Sequence, residues 1–374
     1  MGRRPIFSCF HPGSLIGRPD TGLPYPQGMR TRGNNSTSRS SGRRGEIALL
    51  GEIRARASRT SSEGLRLGIG DDCALLRLRA NEELAVTTDL SIAGRHFRLD
   101  WHPPEVVGHR TLARGLSDLA AMGARPVAAF VSVGLPKELV QRANGRSPWI
   151  HRFFDGLLAL AESYGTPLAG GDLAESSVAV ADIVLVGAVP RGEALLRSGA
   201  RPGDLLYVTG SIGGAAAGLA RLGELAAAGS GRQLPRIPKK AEPLLSAHLY
   251  PQPRIRQATW LRQKGMATAA LDLSDGLSTD LSHLCEESAV AAVVDAAALP
   301  IHPVATLAQA LHGGEDYELL FTAAPSARIP HAIAGVSITR IGRIVRPRAG
   351  KPRISLVTAQ GVEALEAQGW EHFG

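Results

Sequence analysis

Apolar positions along the chain follow two different periods, and the change from one to the other marks out its elements. Over Glu46–Ala57 the residues Ile47, Leu50 and Ile53 recur on one side of a 3.6-residue turn and predict a helix. Longer helical patterns are predicted at Glu105–Met122 and Trp149–Ser163. Leu84–Thr88, Val127–Gly134, Val178–Val189 and Leu205–Thr209 are apolar runs of strand length bounded by turn residues. After Pro202-Gly203 a second series begins with a Gly/Ala-rich helix at 212–228, a strand at Ala267–Leu271 and a helix at Asp275–Glu287. Strands near 290–295, 318–323 and 338–345 complete it. Pro190 to Gly203 reads as an interdomain boundary and Gly229–Lys240 as a polar loop, with no repeat of fixed period.

Residues 1–45 stand apart. They are rich in Arg, Gly, Ser and Pro, without sustained apolar periodicity, and read as a disordered tail. The tail holds eight arginines against one acid, Asp20, and so carries +7 of the net charge of +8. A high isoelectric point points to nucleic acid or an anionic membrane when the folded body carries it; here the charge belongs to the tail, and neither partner is expected. The tail is open to three readings: a transit-like segment, an upstream extension before Met29, or an RNA-binding arm. No apolar run approaches 18 residues, so no membrane span is predicted. Three cysteines (Cys9, Cys73, Cys285) without a C-x-x-C pair argue against a zinc module or a disulfide scaffold and fit a reducing cytoplasm. Cys73 reads as a small buried residue with no redox role.

Acids recur beside glycines at the ends of the predicted strands. Gly68-Ile69-Gly70-Asp71-Asp72 follows a short apolar stretch, Thr87-Thr88-Asp89 closes the strand at 84–88, and Gly170-Gly171-Asp172 closes Pro167–Ala169. Asp272-Leu273-Ser274-Asp275-Gly276 closes 267–271, and Gly313-Gly314-Glu315-Asp316 precedes Tyr317–Phe321. Any one of these alone reads more readily as a turn or helix cap, Asp275 above all. Asp118 does not, because it sits inside a predicted helix with nothing to cap. Nor do the adjacent charges of Asp71 and Asp72, which repel without a cation between them. Carboxylates with threonine hydroxyls suit Mg²⁺, and the eleven histidines show no H-x-H or H-x-x-x-H spacing for zinc. The Walker A pattern is absent, so a bound nucleotide would have its phosphates held by metals and backbone. Gly210-Ser211-Ile212-Gly213-Gly214 opens a helix after a strand, suited either to an anion or to tight helix packing.

In chain order, GIGDDCALL (68–76), TTDLSIAGRHF (87–97), LSDLAAMGA (116–124), GGD (170–172), RSGARPGDLLYVTG (197–210), HLYPQPRI (248–255), ALDLSDGLSTDL (270–281), GGEDYELLF (313–321) and GWEHF (369–373) resemble the thiamine-monophosphate kinase family. That family belongs to the aminoimidazole-ribonucleotide-synthetase-like, or PurM-like, superfamily. The resemblance implies a two-domain PurM-like fold of class α/β plus α+β. Residues 46–195 would form an α/β domain that binds metal and ATP and pairs with its twin, and 196–374 an α+β domain. It implies ATP and several Mg²⁺ ions in the cleft between them, with metal ligands Asp72, Thr87, Thr88, Asp89, Asp118, Asp172, Asp272 and Asp275. Gly171, Asp172, Arg197 and Ser274 would contact ATP, and His96, Glu315 and Trp370 the thiamine monophosphate. Asp72, Asp118, Arg197 and Asp275 would carry the catalysis. Without the family, His96 reads as a surface loop histidine, Trp370 as a C-terminal plug and Arg197 as an ion-pair partner. Three positions depart from the family pattern: Gly115, where Asn is usual; Gly214, where Asp is usual; and Leu173, where a small hydroxyl residue is usual.

The activity implied is ATP-dependent phosphorylation of thiamine monophosphate to thiamine diphosphate by a cytoplasmic homodimer. Three rivals remain on sequence grounds. One is a sister enzyme, such as a selenophosphate or purine-pathway synthetase. Another is a Mg²⁺-dependent nuclease using the same acids, and the third a silent nucleotide-binding protein.

Overall fold

The apolar stripe at the start of the folded chain forms a helix over the residues its spacing predicts, α1 (Glu46–Ala57). The computed structural model describes residues 46–141, 147–228 and 243–369; the tail at 1–45, the loop at 229–240 and Trp370 lie outside the described residues. After α1 come β1 (Leu65–Leu67), β2 (Leu75–Leu76), β3 (Glu82–Ile92), α2 (Pro104–Ala121), β4 (Arg125–Leu135), α3 (Lys137–Val140), α4 (Trp149–Ser163), β5 (Leu168–Glu175) and β6 (Val180–Pro190). The second half runs β7 (Leu205–Thr209), α5 (Gly214–Ala228), α6 (Pro243–Leu249), α7 (Ile255–Gln263), β8 (Ala269–Asp272), α8 (Leu277–Glu287), β9 (Ala291–Asp295), α9 (Leu307–His312), β10 (Leu319–Ala323), β11 (Ala332–Ile333), β12 (Val336–Val345), β13 (Ile354–Thr358) and β14 (Gly361–Ala364).

Among the described residues the first half builds a four-stranded sheet in the order β3-β6-β4-β5, with β4 and β5 parallel. The second half builds a larger sheet in the order β14-β13-β9-β12-β7-β10-β8, with β11 against β12. Two expected strand ends move. Strand β3 pairs with β6 residue for residue from Glu82 to Ile92, so Thr87-Thr88-Asp89 lies inside a strand rather than at its end. β5 likewise continues through Gly170-Gly171-Asp172, because it stays paired with β4 as far as Glu175. Backbone pairing extends a strand past a Gly/Asp signal that sequence alone reads as a stop.

Helix α2 is the central element of the molecule. Pro104 opens it at a position where a missing N–H costs nothing. Gly123 ends it at φ 64°, with the Gly123 and Ala124 N–H groups returned to the Ala120 and Leu119 carbonyls. Between these ends it is buried along most of its length. One side packs on β3 and β6, another on α4, and a third on β8 and α7 of the second half. Helix α4 buries Ile150, Phe153, Phe154, Leu157 and Leu160 at helical spacing against it. The two helices meet at bare backbone: a Cβ at Gly108 would overlap the Phe153 carbonyl, and one at Gly156 the Glu105 carbonyl. A separate core fills the second half, from Leu206 and Val208 through Leu281 and Leu284 to Ile354 and Leu356. Cys285 is buried there, whereas Cys73, expected to be buried, is exposed between β1 and β2. No helix among the described residues is long and apolar enough to cross a membrane.

The Gly156 contact is against backbone, which has no rotamer with which to move aside. Gly156→Ala is therefore expected to destabilise the fold by about 3 kcal/mol, the upper end of overpacking costs. Urea unfolding checks it, and an unchanged midpoint would disprove the close approach.

Candidate active site

Where α2 meets β8 and the loops before α8 and β10, a cavity of about 710 Å³ opens, within the size range of small-molecule sites. Seven residues singled out by the sequence line it: Asp89, His96, Asp118, Asp272, Ser274, Asp275 and Glu315. They come from β3, α2, β8 and three connections, so sequence separations of more than 200 residues close into one wall.

The acids crowd. Asp118 accepts a hydrogen bond from the Thr87 hydroxyl, which gives this helix-interior aspartate a partner on the neighbouring strand. Burial, with Asp272 as the next contributor, still pushes its carboxyl up to about 6. Asp272 is itself buried and raised, chiefly by burial, although the Ser117 hydroxyl donates to it at 2.7 Å. Burial also lifts Asp89 to about 6, against the pull of Arg114. Arg197 is exposed, yet near enough to lower both Asp118 and Asp272. Asp275 does not cap the following helix. The N-cap is Gly276, at φ 106° and without a side-chain bond, and Asp280 instead accepts from the Asp275 and Gly276 N–H groups at 3.0 Å each.

Opposite these acids the Gly313–Asp316 loop lies against the Ser274–Gly276 loop, backbone to backbone. The Glu315 N–H donates to the Ser274 carbonyl at 2.8 Å, and a Cβ on Gly314 would overlap that same oxygen. Glu315 and Tyr317 are held at φ 70° and 52°, a conformation non-glycine residues adopt only when their surroundings impose it. Arg110 from α2 donates to Glu315 at 2.6 Å and to the His248 carbonyl. Burial, the largest single influence, would raise Glu315, but Arg110, His248 and Arg114 together outweigh it and the carboxyl is held down at about 2. Behind Arg110, His102 and His248 share a 3.0 Å contact between their Nε2 atoms, and burial drives both below the ordinary histidine range. A proton can bridge two neutral imidazoles in that geometry.

The other predicted site residues are placed elsewhere. Alternation along β3 puts Thr88 on the face opposite Thr87 and Asp89. Register aligns Asp172 with Ser132, and Ser132 with Asp182, on that same outer face, away from Asp118. Asp72 is exposed on the turn between β1 and β2, whose apolar residues pack on the outer face as well. Gly171, at φ 142°, sits where a Cβ would overlap the Val131 carbonyl. The three departures have packing reasons. A Cβ on Gly115 would run into Leu185 of β6, and one on Gly214 would press on His302 and Ala247. Leu173 packs on the first core. Arg110, Arg114 and His102 were not anticipated from the sequence; His248, Asp280 and Asp316 lie inside quoted segments but were given no role of their own. The one available signal was the four-residue spacing of Arg110, Arg114 and Asp118, which places all three on one helix face.

Comparison with known proteins gives a consistent result. Family models described as AIR synthase related protein, N-terminal domain and C-terminal domain match residues 70–190 and 201–354, as a two-domain PurM-like fold requires. Thiamine-monophosphate kinase of Escherichia coli (strain K12) is 39% identical over 343 residues, which cover 88% of this chain and 98% of that protein. A crystal structure of thiamine-monophosphate kinase from Stenotrophomonas maltophilia K279a superposes with a TM-score of 0.69 at 38% identity, over 83% of this chain and 96% of that one. A structure of AaThiL complexed with AMPPCP and TMP does so at 0.65 and 28% identity, over 90% and 100%.

Asp316 lends this site a pH dependence of its own. Its carboxylate accepts the Gly213 and Ala215 N–H groups at 2.5 and 2.9 Å, fastening the start of α5 to the Gly313–Asp316 loop. Burial raises it from 3.8 to about 7. A carboxyl whose folded value lies above its unfolded one stabilises the fold at low pH and loses that contribution as pH climbs through the folded value. Asp316→Asn removes the titration, so its urea midpoint relative to wild type should rise between pH 5 and pH 8. A difference that stays constant with pH would show that Asp316 does not titrate in this range.

Proposed function

We propose that this chain, which belongs to the thiamine-monophosphate kinase family, uses the cleft to transfer the γ-phosphoryl group of ATP to thiamine monophosphate, yielding ADP and thiamine diphosphate. The observation that carries the reading is the meeting of Asp118, Asp272 and Asp275 with Ser274, His96 and Glu315 around one cavity. The similar structure that holds AMPPCP and TMP supports the substrates.

The acceptor phosphate is already an anionic oxygen nucleophile near neutral pH, so the site has no need of a strong base. Its oxygen forms a bond to the γ-phosphorus as the bond to the β,γ-bridging oxygen breaks in line, and ADP leaves. The obstacle is repulsion between two phosphate groups, which positive charge fixed in advance relieves. Arg197, beside Asp118 and Asp272, is the side chain proposed to reach those phosphates, with Ser274 toward the nucleotide; Gly171, on β5, does not line the cavity. Glu315, kept ionised by Arg110, and His96 are proposed to face the cationic thiazolium acceptor; Trp370, the third residue of that set, lies outside the described residues.

Mg²⁺ suits the donor set. Asp118, Asp272 and Asp275 offer oxygen only, and buried carboxyls that raise one another are relieved by a divalent cation. No three or more His, Cys, Asp or Glu side chains among the described residues surround a single point; Mg²⁺ ordinarily completes its octahedron with water and substrate phosphate. Bound Mg²⁺ would supply positive charge to the phosphoryl oxygens. Thr88 and Asp172 lie on the outer sheet face, so any cation their side chains hold is separate from one in the cleft of the same chain; Asp72 is exposed on the turn between β1 and β2. That face also exposes Leu84, Val86 and Leu90 in one row, at 53%, 55% and 45%. An apolar row on an edge strand seeks cover, and we propose that it is the face of a homodimer. The cytoplasmic setting read from the cysteines is kept.

Full-length protein given ATP, Mg²⁺ and thiamine monophosphate should form ADP and thiamine diphosphate in equal amounts; ADP without thiamine diphosphate would reassign the acceptor. Asp118→Asn should lower kcat by about 10²–10³-fold, the scale of losing one transition-state charge contact, with the fold intact. Arg110→Met frees Glu315 and should raise KM for thiamine monophosphate about tenfold, a loss near 1.4 kcal/mol, while KM for ATP holds. Equal rises in both constants would remove Glu315 from the acceptor site.

A further inference from the structure

Asp89 stands among the expected metal ligands, yet both of its oxygens are already taken by one side chain. Arg114 Nη2 lies 2.5 Å from Oδ1, and Nε donates to Oδ2 at 2.8 Å. This two-pronged geometry is the strongest pairing a carboxylate makes with a side chain. The remaining nitrogen, Nη1, reaches the Ser91 hydroxyl at 3.3 Å. The partners are 16% and 20% exposed, so water screens them little. The guanidinium is also near enough to Glu315 to pull that carboxyl down, and it is thus held between two acids. Arg114 stands one helical turn before Asp118 on α2 and lines the same cavity.

A guanidinium keeps its charge throughout the accessible pH range. A divalent ion on the free lone pairs of Asp89 would sit next to that charge. An ion that displaced Arg114 would leave the guanidinium buried against Ser91 without its carboxylate. We propose that Arg114 is a built-in cation: it occupies the charge position at Asp89, Asp89 is not a metal ligand in this chain, and the cleft takes its divalent ions at Asp118, Asp272 and Asp275. The inference rests on the phosphoryl-transfer reading for what those ions do. Its content is the number of ions the cleft holds and the residue that replaces one of them. The charge balance at Asp89 is then covalently fixed and does not depend on the free Mg²⁺ concentration.

The test counts ions. Full-length protein with AMPPCP is titrated with Mn²⁺, and free Mn²⁺ is read by electron paramagnetic resonance. Arg114→Met, which keeps the length of the side chain and removes its charge, should bind one more Mn²⁺ per chain than wild type. Arg114→Lys should bind the wild-type number. Asp89→Asn alone should also keep the wild-type number, and adding it to Arg114→Met should abolish the gain. Equal counts in folded Arg114→Met and wild type would overturn the proposal, as would the loss of one ion in Asp89→Asn. If Arg114→Met does not fold, the Asp89→Asn count decides: unchanged supports the proposal and one fewer overturns it. A wild-type chain that shows the expected counts but forms no thiamine diphosphate would sink the kinase reading and leave the role of Arg114 standing.

Discussion

Asp118 and Asp272 face each other across the seam between α2 and β8 with little water to screen them, and the organisation of the site follows from that placement. Burial penalises the charged form of both, Asp272 pushes Asp118 up further, and a fold of ordinary net stability has little to set against such a cost. Such a pair persists only if the fold over-determines its geometry and if something positive is available to it. The fold meets the first condition by burying α2 on several sides, so that moving Asp118 would mean dislodging the helix from β3, α4 and β8 together. Hydroxyls give a partial answer to the second, Thr87 for Asp118 and Ser117 for Asp272. Arginine gives a fuller one at Asp89. What is left uncompensated is an attraction for cations aimed into the cavity.

The same economy of space governs the loops. Close backbone approach at Gly276 and Gly314 lets the Ser274–Gly276 and Gly313–Asp316 segments lie flat on each other. The positive φ values of Glu315 and Tyr317 are the strain this contact imposes. A buried clamp holds that strain from behind: Arg254 pairs with Glu318, whose carboxylate also accepts from the Thr209 hydroxyl at 2.5 Å. Breaking one side of such a pair leaves an uncompensated buried charge, so α7, β7 and β10 are locked to one another. Glu315 is therefore delivered to the cavity by structure lying well outside it.

Much of this was legible in the residues, and the illegible part has a physical cause. α1, α4 and β7 fall on the boundaries their patterns predict, because a one-sided apolar stripe or a short bounded run leaves few alternatives. The acids of the Asp272–Gly276 and Gly313–Asp316 segments were visible because Asp and Glu beside Gly are conspicuous. β3 and β5 were cut short, since the pairing that carries them past Asp89 and Asp172 comes from β6 and β4, remote in sequence. The raised carboxyls of Asp280 and Asp316 could not be read from the sequence, because burial, not residue type, is what raises them. Arg110 and Arg114 lie inside a helix whose polar side had no visible partner until β3 and the Gly313–Asp316 loop were brought against it.

The period of the strand also divides what the motif joins. Thr87, Thr88 and Asp89 are adjacent in the chain, but a pleated strand sends the middle residue to the other side. Thr87 meets Asp118 and Asp89 meets Arg114, both on α2, while Thr88 faces outward with Asp172 in a neighbouring row. One sheet thus carries two polar surfaces, an inner one whose charges are paired by α2 and β8 and an outer one beside an exposed apolar row. On the inner surface Arg110 keeps Glu315 ionised and Arg114 balances Asp89, and a guanidinium holds its charge throughout the accessible pH range. In the proposed reaction the exchangeable cations would then have a narrower task. They would balance Asp118, Asp272 and Asp275, the carboxylates proposed to lie where phosphates arrive and leave, and a charge that departs with its ligand is useful only at such a place.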